Sequence, residues 1–199
     1  GNGTPLVGIQ FSGVVSVGTS TINYNSAGTS GTTIAELNTP YYNLGINKAG
    51  NTFTATGNLE IGKDLTIYAG TFVAPSGNLI ISGNLTNDGT FTHNSGTVSI
   101  QPVFNNKTST IGGNNDISFY NLSATVNNAV VQFGAGNIYA INGTLTATGG
   151  PGQPVKLVSD SLGVQWLIDM NGSASLLYVA VRDGGCSNSA NIVPGFKVF

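Results

Sequence analysis

The chain has 199 residues and a net charge of −2, and only 7% of it is Asp, Glu, Lys or Arg, against a usual share of about 25%. Hydrophobic residues still supply 40%, which excludes a disordered chain, and the six basic residues stand singly, which leaves no patch to hold a nucleic-acid backbone. The longest apolar runs, such as Leu176-Leu177-Tyr178-Val179-Ala180-Val181, are strand-length and fall short of the roughly 20 residues that cross a bilayer.

In chain order, residues 1–20 come first. Gly1-Asn2-Gly3-Thr4 carries no charged or apolar segment of a secretion signal, as expected for a processed chain or an excised piece. The apolar-spaced stretch Leu6-Val7-Gly8-Ile9-Gln10-Phe11, running on to Val17, predicts a strand or cap that closes one end or is exchanged between subunits.

Residues 21–153 read as stacked coils. Thr-Phe recurs at Thr52-Phe53, Thr71-Phe72 and Thr90-Phe91, each Phe 19 residues after the last. Behind each runs a similar phrase: Gly57-Asn58-Leu59-Glu60-Ile61, Gly77-Asn78-Leu79-Ile80-Ile81, Gly96-Thr97-Val98-Ser99-Ile100. A period of about 20 residues built from short alternating strands predicts an all-β fold, a parallel β-solenoid. Leu59, Ile61, Leu65 and Ile67 fall on one parity, with Glu60, Asp64 and Thr66 on the other; in the next coil Leu79, Ile81 and Leu85 face inward and Asn84 and Thr86 outward. Phe53, Phe72 and Phe91 are expected to form an internal stack, flanked by an outward threonine ladder. Gly and Asn suit the corners, where φ > 0 is needed.

A longer echo lies above this period. Pro40-Tyr41-Tyr42-Asn43-Leu44 returns as Ser118-Phe119-Tyr120-Asn121-Leu122, and Ile61…Leu65-Thr66 as Ile141…Leu145-Thr146. The expectation is two diverged four-coil modules, with about ten coils in the whole chain. Residues 154–199 change style and read as C-terminal coils and a cap. Pro154–Val158, Val164–Ile168 and Leu176–Arg182 are expected to be longer strands, with Trp166 in the core and Phe196-Lys197-Val198-Phe199 as a closing edge strand.

Candidate chemistry is sparse. His93 is the sole histidine, too few for a triad or a His-based metal site, and is expected at a corner or beside Phe91. Asp64, Asp88, Asp116, Asp160, Asp169 and Asp183 are dispersed, whereas glycoside hydrolysis needs two carboxylates within about 10 Å. The corners Asn87-Asp88 and Asn114-Asn115-Asp116 suit turn geometry better than calcium, because the nonapeptide calcium repeat is absent. No metal and no cofactor is expected. Arg182-Asp183 reads as a surface ion pair. Thr52-Phe53-Thr54 and Thr90-Phe91-Thr92 resemble the rows of ice-binding solenoids, but Thr71-Phe72-Val73 breaks the second row. Six Asn-x-Ser/Thr acceptors stand at Asn2, Asn84, Asn106, Asn121, Asn142 and Asn171. Cys186, in Gly184-Gly185-Cys186-Ser187, is expected in a loop.

The phrases Tyr42-Asn43-Leu44-Gly45-Ile46, Gly57-Asn58-Leu59, Gly83-Asn84-Leu85-Thr86-Asn87-Asp88-Gly89-Thr90-Phe91, Phe119-Tyr120-Asn121-Leu122 and Gly143-Thr144-Leu145-Thr146 resemble repeats of bacterial adhesin-like and haemagglutinin-like surface proteins. The resemblance covers roughly residues 20–199. It implies a right-handed parallel β-helix and a prokaryotic, secreted, cell-surface rod without catalytic activity. The expected role is a self-assembling structural subunit of an extracellular filament, partnered by further copies of itself through strand addition at the solenoid ends. The alternative is an adhesin module that grips polysaccharide or a host surface, with Tyr24, Tyr41, Tyr42, Tyr68 and Tyr139 as candidate platforms. Ice binding and polysaccharide cleavage rank below both.

Overall fold

The computed structural model describes residues 18–25, 31–35, 37, 39–104 and 106–187. The stretch 6–17, the acceptor Asn2 and the proposed closing strand 196–199 lie outside the described residues. Among the described residues there is no helix, and no helix long and apolar enough to cross a membrane. The chain winds into a parallel β-solenoid of about seven turns, with equivalent positions near 22 residues apart.

The first turn carries β1 (Thr21–Tyr24) and β2 (Thr32–Thr33); the next two carry β3 (Asn43–Thr54), β4 (Leu59–Ile61), β5 (Leu65–Val73) and β6 (Asn78–Ile81). Then come β7 (Leu85–Asn87), β8 (Thr90–Thr92) and β9 (Thr97–Ile100), followed by β10 (Thr108–Gly112), β11 (Ile117–Phe119) and β12 (Asn121–Ala124). The last turns hold β13 (Val130–Phe133), β14 (Ile138–Ile141), β15 (Thr144–Thr148), β16 (Val155–Ser159), β17 (Trp166–Met170), β18 (Ser173–Leu177), β19 (Val179–Arg182) and β20 (Gly184–Cys186). The ladders join into three sheets. The first runs β1-β3-β5-β7-β10-β13-β16-β19, with β2 and β8 beside β3 and β5; the second runs β4-β6-β9-β12-β15-β18; the third runs β11-β14-β17-β20.

Stacking of like on like builds the core. On the first face Leu44, Leu65, Leu85 and Ile111 are cross-strand partners in turn. On the second, Leu59, Leu79, Val98, Leu122 and Leu145 form one column, and Ile61, Ile81 and Ile100 another. Phe53, Phe72 and Phe91 are in register and buried, and the Phe72 and Phe91 rings lie 6.0 Å apart. The column continues through Phe119, 5.6 Å from Phe91, to Ile141 and Met170. Thr52, Thr71 and Thr90 stack beside it, as do Thr54, Val73 and Thr92. Each ring pair adds about 0.5–1.5 kcal/mol beyond its buried area.

Four sequence expectations need correction. Among the described residues the turns number about seven, against about ten expected for the whole chain. The 20-residue step belongs to the tightest turns alone: Leu65 pairs with Leu85, but Leu85 pairs with Ile111, 26 positions on, because the chain loops out between β9 and β10. The long echo is not a four-coil period. Tyr41 bridges to Ile61 of the second sheet and Asn43 enters the first, whereas Phe119 leaves the third sheet and Asn121 enters the second. The two phrases mark different corners with the same chemistry: a buried aromatic, an outward Tyr, then Asn whose Oδ1 accepts a backbone N–H from the next turn, that of Asp64 at 3.2 Å and that of Thr144 at 2.9 Å. Finally, Leu176–Arg182 is not one strand. Tyr178 takes φ 52°, a left-handed corner that separates β18 from β19.

One core position breaks the apolar rule. Tyr24, Ile46, Ile67 and Asn87 form a column, and Asn87 is 1% exposed. Its Nδ2 donates to the Asp116 carbonyl at 3.2 Å, while its Oδ1 is buried without a partner among the described residues. An orphaned buried acceptor costs about 1–3 kcal/mol, more than one long hydrogen bond returns. Asn87→Leu is therefore expected to stabilise the solenoid by about 1 kcal/mol and raise its Tm by a few degrees, read by thermal circular dichroism. An unchanged or lower Tm would show that the carboxamide is satisfied.

Candidate functional site

The dispersed carboxylates hold the corners. Asp64 Oδ1 accepts the Asn84 N–H at 2.8 Å, and Asn84 Oδ1 accepts the Thr110 N–H at 2.9 Å, so Asn43, Asp64 and Asn84 form a ladder along one corner. Asp88 accepts from the Asn114 N–H, Asp116 from the Ile138 N–H, Asp160 from the Ala135 N–H and Asp183 from the Gly163 N–H, at 2.8, 2.8, 2.9 and 3.2 Å. Each joins one turn to its neighbour through a backbone donor that a side chain lacking an acceptor would leave unmet. Both suggested calcium corners, at Asp88 and at Asn114 to Asp116, are engaged in such bonds. Among the described residues no group of three His, Cys, Asp or Glu side chains comes together. Arg182 Nε lies 3.3 Å from Asp183 Oδ2 at the surface, a pair worth about 0–1 kcal/mol.

Three of the tyrosines proposed as platforms are buried: Tyr24, Tyr41 and Tyr139. Their phenols tie the core together. Tyr41 donates to the Ala35 carbonyl at 2.6 Å, so the Tyr24 hydroxyl donates to Tyr41 at 2.9 Å and accepts the Ala35 N–H at 2.9 Å. Tyr139 accepts the Gly134 N–H and donates to the Ile111 carbonyl, both at 2.8 Å. Burial pushes the Tyr41 phenol far above its ordinary range, with the bond to Tyr24 adding to it. Burial does the same for Tyr139, opposed by the Gly134 N–H and reinforced by the negative charges of Asp160 and Asp116. Both therefore stay protonated and remain donors. Tyr42 is half-buried and Tyr68 is exposed; Tyr120 and Tyr178, which the residue pattern did not single out, are exposed as well.

The glycosylation acceptors divide by their surroundings. Asn84 is half-buried and caps Thr110. Asn121 is half-buried, with Oδ1 on the Thr144 N–H and Nδ2 on Thr97 Oγ1 at 3.3 Å. Asn106, Asn142 and Asn171 are exposed. Cys186 is exposed and lies in β20, not in a loop, because it continues the column Ile117, Tyr139, Ile168.

His93 takes a corner position and anchors a polar strip. Its Nδ1 accepts the Ser95 N–H at 3.0 Å, its Nε2 lies 3.3 Å from Asn142 Nδ2, and its ring sits 5.8 Å from that of Tyr120. Asn142 Nδ2 donates to Ser118 Oγ at 3.1 Å, and Asn171 Nδ2 reaches both Asn142 Oδ1 and Asp169 Oδ2 at 3.3 Å. A recess of about 410 Å3 lies where Thr39, Pro40 and Tyr41 meet Asn58, Glu60 and Ile80.

The architecture is that of a parallel β-solenoid, in which sites sit either on the long faces and corners or at the two ends. Comparisons with protein-family models, with curated proteins and with solved structures found no match to this chain.

Proposed function

We propose that this chain is a non-catalytic structural subunit of an extracellular, cell-surface filament, elongated by end-to-end addition of further copies. The observation that carries the reading is the difference between the two ends of the core. At the N-terminal end the column closes under Ile34 and the Tyr24–Tyr41–Ala35 hydrogen bonds, and both rings are buried. At the C-terminal end the columns run out into solvent. Val131, Leu157 and Val181 are register partners, and their exposure goes from 1% to 3% to 53%. Buried Ile168 is followed by exposed Cys186, and buried Leu145 by exposed Ala174. Leu177 and Tyr178 stand exposed beside them.

Among the described residues β18, β19 and β20 are each the last strand of their sheet on this side. Strand edges without a neighbour among the described residues, over an apolar end, invite another strand. A heterologous contact that does not close on itself propagates into a fibre. Low charge leaves little repulsion between stacked copies. The resemblance to adhesin-like surface repeats belongs to the same reading, since a rod of this kind displays its long faces outward.

Negative-stain electron microscopy of the full chain tests it. The expected result is fibres with an axial repeat near 35 Å, seven turns at the inter-strand spacing of about 4.8 Å. Val181→Glu, which places a charge on the open end, is expected to leave folded single rods. Monodisperse rods from the unaltered chain at high concentration would sink the proposal.

A further inference from the structure

We propose that the corner strip His93, Tyr120, Asn142, Asn171 and Asp169 is a binding site for a neutral, hydroxyl-rich glycan. The strip runs along one corner of the rod, and its last member, Asn171, directly precedes β18.

Its geometry follows from the core beneath it. Phe91, Phe119, Ile141 and Met170 are successive members of one buried column. His93, Tyr120, Asn142 and Asn171 each follow one of these by one or two positions, at the corner where the chain turns towards the second sheet. The strip therefore crosses four consecutive turns, a run of about 14 Å at the inter-strand spacing. That length suits two or three sugar rings laid parallel to the rod axis.

The chemistry is that of sugar recognition. A pyranose presents an apolar C–H face and a rim of hydroxyls that both donate and accept. Tyr120 supplies an aromatic surface, 38% exposed. A Cβ on Gly143 of the next turn would come 3.1 Å from its Cδ1, and the His93 ring lies 5.8 Å from it, centre to centre. The ring is thus held in place before any ligand arrives, which lowers the entropy lost on binding. The carboxamides of Asn142 and Asn171, the Ser118 hydroxyl and the Asp169 carboxylate continue the row with donors and acceptors already ordered by their mutual bonds. No Lys or Arg belongs to the strip, and Asp169 is its charged member, so an acidic sugar, phosphate or sulfate finds no counter-charge. Neutral sugars are the class that remains.

Saturation-transfer NMR on the full chain with gluco-, manno- and xylo-oligosaccharides of three units tests the proposal. At least one member is expected to receive magnetisation. Tyr120→Ala should weaken its affinity about tenfold, and Asp169→Asn should weaken it with the ring left in place. Both variants are expected to keep the far-ultraviolet circular dichroism and Tm of the parent, because neither side chain is in the core. Tyr68→Ala, which removes an exposed tyrosine from the first sheet, should leave binding unchanged. Silence from every neutral oligosaccharide at millimolar concentration overturns the proposal. So does equal affinity in Tyr120→Ala and the parent, or a loss that follows Tyr68 instead.

Discussion

Phe72→Ala is expected to cost about 3–5 kcal/mol and lower Tm by about 10 °C or more. Phe72 is fully buried, with Phe53 as its partner on one side and Phe91 on the other. Removing its ring takes away the neighbour of Phe91, 6.0 Å off, and leaves a void in the column. Relaxation is hindered on both sides, because β3 and β8 hold β5 in register across Thr71 to Val73. Phe72→Leu refills most of the space and is expected to cost less than half as much. Thermal or denaturant unfolding followed by circular dichroism reads both. A Phe72→Ala loss below about 1 kcal/mol would mean that the aromatic column is not a major source of stability.

Trp166→Ala is expected to be as costly where it acts and to differ in reach. The indole stacks on Phe133 at 4.2 Å with 15° between planes, packs edge-on to Tyr139 at 6.4 Å, and donates from Nε1 to the Arg182 carbonyl at 3.3 Å. Deleting it removes about 3–5 kcal/mol of packing from the turn next to the open end. In a solenoid each turn leans on its neighbours alone, so the damage should open β16–β20 while the turns built on Phe72 persist. Hydrogen exchange is expected to show lost protection at Val155–Ser159 and Trp166–Met170 with unchanged protection at Leu65–Val73. Trp166→Phe keeps a ring against Phe133 and should lose little. Uniform loss of protection along the whole chain would show that the rod unfolds as one unit.

The contrast between these two sites shows what was legible in the residues. The Thr-Phe phrase is visible because stacking demands the same residue at the same height, and the tightest turns keep a constant length between repeats. Turns of variable length hide the rest. Met170 is the same column continued, but the loop between β9 and β10 and those flanking β16 shift the spacing, so periodicity cannot reach it. The echo of Tyr41-Tyr42-Asn43-Leu44 in Phe119-Tyr120-Asn121-Leu122 misleads for a related reason. Corners share one chemical rule, and the rule does not say which of the three faces a corner joins.

The candidate site was legible only as scattered parts. His93 stood out as the sole histidine, and Asn142 and Asn171 as glycosylation acceptors, but nothing in their spacing placed them together. Tyr120 stands directly after buried Phe119 in the corner phrase, and that position was the available sign that its ring faces outward. The tyrosines proposed as platforms were a different matter. Tyr24, Tyr41 and Tyr139 look amphipathic in isolation, and their hydroxyls find backbone and phenol partners inside the coil, which removes the penalty of burying them.

The spacing of the turns also sets how the chain acquires its structure. Among the described residues every ladder joins residues one turn apart, so each new turn closes a loop of between 18 and 29 residues. The entropy lost per closure grows only with the logarithm of that length, and a loop of 26 residues costs almost the same as one of 20. After the first pair of turns has formed, each later one meets a ready template and needs no distant partner. Such a chain can grow its structure in the direction of synthesis, turn upon turn, with the newest strand edge always the one still waiting for a neighbour.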